Sequence, residues 1–218
     1  MARILEKVDP DLVVMEATYG IVMALTLVLV AQLGIVNYTS RHTLVMAILG
    51  MDFVWGAIDM FAFFRSDITA ERRRRHLLRK LHAEGVSEST RQEIMPEFEG
   101  TVADLVDGES RRKVADIIIS GDIVEESRVV GRYRNYFINA LTAFVVTAGT
   151  AIPVALCILF IESEDQAFLM SSLISSVMMF LVGVYFSPFE RKVYGVLWGL
   201  LLTFTALALS VMCAFLGG

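Results

Sequence analysis

Long apolar runs alternate along the chain with short charged breaks. Residues 18–38, 135–161, 166–189 and 193–218 each pass without one charged side chain. A helix rises about 1.5 Å per residue, so about 20 such residues cross a hydrocarbon core of about 30 Å. A fifth stretch, 43–64, contains Asp52 and Asp59 but is apolar and long enough to cross as well. The pattern predicts five spans, at about 13–35, 43–64, 136–161, 167–187 and 193–216. The expected class is an all-α integral membrane protein. Short connections at 36–42, 162–166 and 188–192 make the spans they join antiparallel neighbours. One long polar segment separates spans two and three, so the chain divides at 1–64, 65–134 and 135–218.

An apolar share of 56% in this distribution excludes a soluble enzyme, a disulfide scaffold and a disordered chain. The N-terminus lacks a small-residue cleavage site, and the first run is too long for a signal peptide. It is expected to be a permanent span. Cys157 and Cys213 fall inside apolar runs and read as small packing residues.

The net charge of −5 hides a segregation. Of 19 Lys and Arg, 18 fall in the N-terminus, the 65–134 segment and the 188–192 turn, leaving Arg41 alone on the other side. Counting only residues near span ends leaves 14 against 1, including Arg3, Lys7 and Arg128. The positive-inside rule then puts the N-terminus and the 65–134 segment in the cytoplasm and the C-terminus outside. Glu162, Glu164 and Asp165 mark an outer turn.

The 65–134 segment reads as helical. Residues 68–83 continue the second span outwards and stop at Gly85. Ser87 or Ser89 can open the next helix, with Gln92 closing a capping box on Ser89. Leu105, Val106, Val114, Ile117, Ile118 and Ile119 are expected to bury one face of a small helical layer. Arg72, Arg73, Arg74, Arg75 and His76 read as a juxtamembrane stop signal meeting acidic headgroups. No aromatic residue interleaves with them, so nucleic-acid binding is not expected. No phosphate loop, zinc-ligand spacing or nucleophile elbow occurs, and His42, His76 and His82 are scattered, so an enzyme is not expected.

The candidate chemistry lies in three acids within the spans: Glu16, Asp52 and Asp59. A charge near a span centre costs on the order of 3 kcal/mol on insertion scales and faces protein or water rather than lipid. Glu16 and Asp59 sit at similar depth on antiparallel neighbours, roughly 5 Å and 8 Å from one end. Asp52 lies two turns from Asp59 on the same face, level with Met23. Glu16, Tyr19, Gly20 and Met23 also share a face. The sequence therefore permits a column of Glu16, Asp59 and Met60, then Met23 and Asp52. Carboxylates with thioethers suit Fe²⁺ or Mn²⁺ better than Mg²⁺. Acids crowded in a low dielectric hold protons that an entering metal displaces, a basis for metal/proton exchange. Most of the eleven methionines, Met15, Met46, Met51, Met178, Met179 and Met212 among them, are expected to be packing. The alternative is structural: the acids are buried carboxyls hydrogen-bonded to Thr18, Thr26, Asn139 or Thr142. A polar stripe of Asn135, Asn139, Thr142, Thr147 and Thr150 in the third span either lines a path or bonds across helices.

Several short motifs carry a resemblance. Gly20-Ile21-Val22 looks like an Asp-Gly-Leu/Ile-Val motif, and Gly56-Ala57 with Met60 like Gly-Ala-x-x-Met. Ala140, Ala143-Phe144, Gly149 and Ile152-Pro153 are similar to an Ala-rich, Gly-then-Pro third span, and Phe180 to Gly183 to a fourth-span ending. In these motifs and in span count the chain resembles the vacuolar iron transporter family, as a divergent bacterial-type member. Tyr19 stands where the family has a metal-binding aspartate, and Phe64 where it has a glutamate. Glu93, Glu97 and Glu99, broken by Pro96, are all that matches the family's cytoplasmic glutamate pairs.

The resemblance implies a homodimer in a bacterial inner membrane that carries Fe²⁺ or Mn²⁺ as substrate, with no resident cofactor. The first spans would lie near the dimer axis. Glu16 and Asp59 would then be ligands, Met60 a soft ligand, and Asp52 a deeper ligand or proton carrier. The competing expectation is a non-transporting relative whose cytoplasmic helices bind a partner. Gly195 and Gly199 form a GxxxG whose expected use is close helix approach within one subunit.

Overall fold

The structure, a computed structural model, describes residues 10–122 and 126–216, with side chains of 126–131 left aside. Arg3, Lys7 and the Arg128 side chain, used in the charge count above, lie outside the described residues. The described chain is all-helical: α1 (Pro10–Gln32), α2 (Arg41–Glu84), α3 (Glu88–Ile94), α4 (Gly108–Ser120), α5 (Glu126–Phe160), α6 (Glu164–Tyr185) and α7 (Lys192–Leu216). Two short 3-10 turns, Met95–Phe98 and Val102–Leu105, join α3 to α4. Five of the helices, α1, α2, α5, α6 and α7, are long and apolar enough to cross a membrane.

Local chemistry sets the ends of these helices. Gly34, at φ +67°, closes α1, with Ile35 N–H donating to Val30 O and Gly34 N–H to Ala31 O, the Schellman pattern. Ser40 opens α2 by accepting from the Thr43 N–H at 3.2 Å. α2 then runs 44 residues and is stopped at Gly85, at φ +75°. The second span and the helix after it are thus one continuous element.

The chain forms two compact units, Met1–Phe64 with Phe137–Gly218, and Arg65–Tyr136. In the first unit, Ala24 and Val28 of α1 meet Leu44 and Ile48 of α2, Val154 and Ile158 of α5, and Ala167 of α6 in one buried cluster. Ile21, Met179 and Ala206 form a second cluster joining α1, α6 and α7. Small residues let helices touch. A Cβ on Gly183 would lie 2.6 Å from Gly199 Cα, so α6 and α7 cross backbone to backbone. Gly199 therefore serves close helix approach within the chain, as expected of its GxxxG. Arg41 donates to the carbonyls of Ile161 and Glu162 and ties the start of α2 to the α5–α6 turn.

In the second unit, Leu81, Ile94, Phe98, Ala115 and Ile119 form the core. This corrects the predicted apolar face. Of the six residues expected to bury, Ile119 is fully inside and Val114 packs at the edge, whereas Leu105 is 85% and Ile117 69% exposed. Three consecutive isoleucines turn through about 100° each, so they cannot share a face. Ser87, not Ser89, caps α3, and the box closes on Thr90 rather than Gln92.

Candidate functional site

The first unit buries two acids completely. Glu16 on α1 and Asp52 on α2 are both 0% exposed, while Asp59 and Met60 of α2 and Met23 of α1 are half-buried. Gly20 is what brings the helices together here. A Cβ on it would stand 2.7 Å from Thr147 O and 2.1 Å from Thr150 Oγ1 of α5, and 3.3 Å from Asp52 Oδ2. No side chain larger than hydrogen fits, so α1 lies against both α5 and the Asp52 carboxyl. Gly56 plays the same part between α2 and α5, where a Cβ would meet Phe144 O at 3.1 Å.

Asp59 lies within electrostatic reach of Glu16. One Glu16 oxygen, Oε2, accepts from Thr147 Oγ1 at 2.5 Å. The other, Oε1, is buried without a partner. If both acids are ionised, only acceptors meet across this gap, and a cation or a shared proton is what completes it. Asp52 is more isolated still: both of its oxygens are buried with no hydrogen-bond partner.

The structure thus brings Glu16 and Asp59 together and leaves Asp52 on its own, against Gly20. No group of three His, Cys, Asp or Glu side chains suited to a metal ion occurs among the described residues. Met46, Met51 and Met212, expected to pack, are exposed on the helix surfaces, whereas Met179 is core.

The hydroxyl that serves Glu16 is not one of those expected. Thr18, Thr26 and Thr142 donate to the carbonyls of Val14, Val22 and Ile138 on their own helices. Thr147 does the work, and Thr150 supports it by donating to Thr147 O at 2.7 Å. Their i, i+3 spacing places both on one face of α5. The signal was present in the polar stripe, but which hydroxyl meets Glu16 depends on helix register, which is not a local property.

The second unit contains a charge cluster that the sequence reading did not single out. Glu71, 4% exposed, accepts from Arg75 Nε at 2.9 Å, from Arg132 at 3.1 Å and from Tyr136 Oη at 3.2 Å. Burial pushes its carboxyl up, but the bonds from Arg75 and Tyr136 and the Arg132 charge outweigh that and hold it below the ordinary 4.5. An i, i+4 Glu71–Arg75 pair is the one local signal of this cluster.

These features define an all-helical chain with five helices of membrane-crossing length and an acidic pair inside the first unit, consistent with an integral membrane protein. No family model matches the chain, and neither a curated protein nor a solved structure shows significant similarity to it.

Proposed function

We propose that the protein is a homodimeric membrane transporter that moves a divalent transition metal, Fe²⁺ or Mn²⁺, from the cytoplasm to the far side in exchange for protons. The observation that carries this reading is the meeting of Glu16 and Asp59 with Glu16 Oε1 left without a donor. Buried acceptors near each other are costly unless a cation or a shared proton lies between them. Glu16 and Asp59 are the metal ligands, Met60 a soft ligand beside Asp59, and Asp52, with Met23, a deeper ligand or proton carrier. Metal entry displaces any proton the acids share, which couples the two fluxes. The short motifs shared with vacuolar iron transporters support the same reading.

Calorimetric titration of the purified chain with Mn²⁺ in buffers of different ionisation enthalpy tests it. The expected result is saturable binding with proton release, abolished in the double variant Glu16→Gln/Asp59→Asn. Equal binding by that variant defeats the site assignment. The Thr147 bond to Glu16 and the absence of a three-ligand group among the described residues favour a second reading: a non-transporting protein with structural acids, whose polar unit binds a partner. Proteoliposomes loaded with a metal-quenched dye separate the two, since no response to any metal supports the second.

A further inference from the structure

Glu16 is held asymmetrically. Its Oε2 is taken by the Thr147 hydroxyl at 2.5 Å, its Oε1 alone is left without a donor, and Asp59 lies within electrostatic reach of the carboxyl. Thr147 itself is fixed. Its carbonyl accepts from Thr150 Oγ1 at 2.7 Å, and α1 rests on that same carbonyl through Gly20, one turn after Glu16 on the same face. Thr147 is fully buried, and so is Glu16. The Thr147 bond therefore fixes the tilt of the carboxylate and takes one of the two lone-pair sites on Oε2, which disfavours a turn that presents both oxygens equally to one ion.

We propose that Thr147 is the positioning residue that makes Glu16 a one-oxygen ligand, so that the Glu16–Asp59 pair takes small first-row divalent cations and discriminates against Ca²⁺. This rests on the metal-transport reading and adds to it a basis for selectivity. Ca²⁺ collects about 6–8 oxygens and commonly draws two from one carboxylate, in flexible sites. First-row ions accept fewer ligands and tolerate one oxygen from each acid. A donor that occupies the second oxygen thus works against the larger ion. Partners that orient a ligand in this way shift metal affinity by about 10–100-fold when removed.

The test compares the whole chain with Thr147→Val, which keeps the shape and removes the hydroxyl, and with Thr147→Ser, which restores it. Mn²⁺ and Ca²⁺ are titrated separately into each. The wild type is expected to prefer Mn²⁺. In Thr147→Val that preference falls about tenfold, chiefly through tighter Ca²⁺ binding, and in Thr147→Ser it returns. A merely structural role would weaken both ions together. Infrared spectra of the metal-free protein give a second readout: the carboxylate band lost in Glu16→Gln should shift in Thr147→Val and stay in place in Thr147→Ser. Thr147→Ala serves if the valine variant does not fold. An unchanged ion preference, or an unshifted Glu16 band, overturns the proposal. Wild-type protein that binds neither ion overturns the metal reading and the selectivity with it. Binding with unaltered preference sinks the Thr147 role alone.

Discussion

Two buried acids, one in each unit, are treated in opposite ways. Glu71 sits among two arginines and a tyrosine, and both of its oxygens are bonded. Asp52 is buried more completely, yet neither of its oxygens has a partner. Glu16 stands between them, with one oxygen satisfied by Thr147 and one not. A buried carboxyl without partners costs about 1–3 kcal/mol even when it takes a proton, so an acid that is left unserved persists against a stability cost. An acid that is fully served needs no other explanation than the contacts it makes. The gradient from Glu71 through Glu16 to Asp52 therefore separates structural acids from candidates for transport, with no reference to where each lies in the sequence.

The largest effect should come from the served acid. Glu71→Ala leaves Arg75, itself mostly buried, and Arg132 without their carboxylate, and should cost about 3 kcal/mol. Amide hydrogen exchange across 65–136 is the direct measurement, with loss of protection expected on both α2 and α5 within that unit. Because Glu71 is held below its ordinary 4.5, its contribution is fully present above that pH. It disappears as pH falls through the lower folded value. Acidification below about 4.5 should thus loosen the wild-type unit through Glu71. Glu71→Gln should lack that step. Unchanged protection in Glu71→Ala would mean that the cluster is ornamental and the contrast with Asp52 empty.

Asp52 should respond with the opposite sign. Replacing an unpartnered buried carboxyl by alanine removes a desolvation cost and opens only a small void. Thermal unfolding in detergent should show Asp52→Ala more stable by about 1–2 kcal/mol. If Asp52 is an ion carrier, metal-driven proton flux in proteoliposomes falls in the same variant. Stability gained as function is lost is the expected signature of a residue kept for its chemistry. A loss of stability as large as that of Glu71→Ala would show that Asp52 is partnered after all.

How much of this could be read beforehand follows from what is local. Charge-free runs of the right length mark the crossing helices because length and hydropathy are properties of the segment itself. Gly85 as the stop of α2 is legible for the same reason: a left-handed terminus calls for glycine, and the helical pattern ends there. α1 starts and ends about three residues earlier than predicted, because Gly34 needs several residues of chain beyond the last helical turn. The pairing of Thr147 with Glu16, across 131 residues, depends on how far α1 slides along α5, which the Gly20 contact decides. Glu71 was missed for a similar reason. Arg75 is its neighbour along the helix, but Arg132 and Tyr136 arrive only through tertiary structure.

The smallest effect sharpens the comparison from the side of the backbone. In the polar unit even helix ends are served: Ser87 Oγ accepts from the Thr90 N–H, and Thr90 Oγ1 returns the favour to the Ser87 N–H at 2.8 Å. Thr90 is fully buried and also donates to the carbonyl of Gly85 or Ser87, so the box joins the end of α2 to the start of α3. Ser87→Ala removes one acceptor from an exposed cap and should cost about 1 kcal/mol, read as faster exchange of the first α3 amides alone. Gln92→Ala should cost nothing, since Gln92 takes no part in the box. A measurable loss in Gln92→Ala with none in Ser87→Ala would place the cap at Ser89 and shift α3 by two residues. The second unit does leave one buried donor, Arg111 Nε, without a partner, so agreement with the expected order would set the unserved acceptors of Asp52 and Glu16 against a unit whose buried carboxylate and helix cap are served.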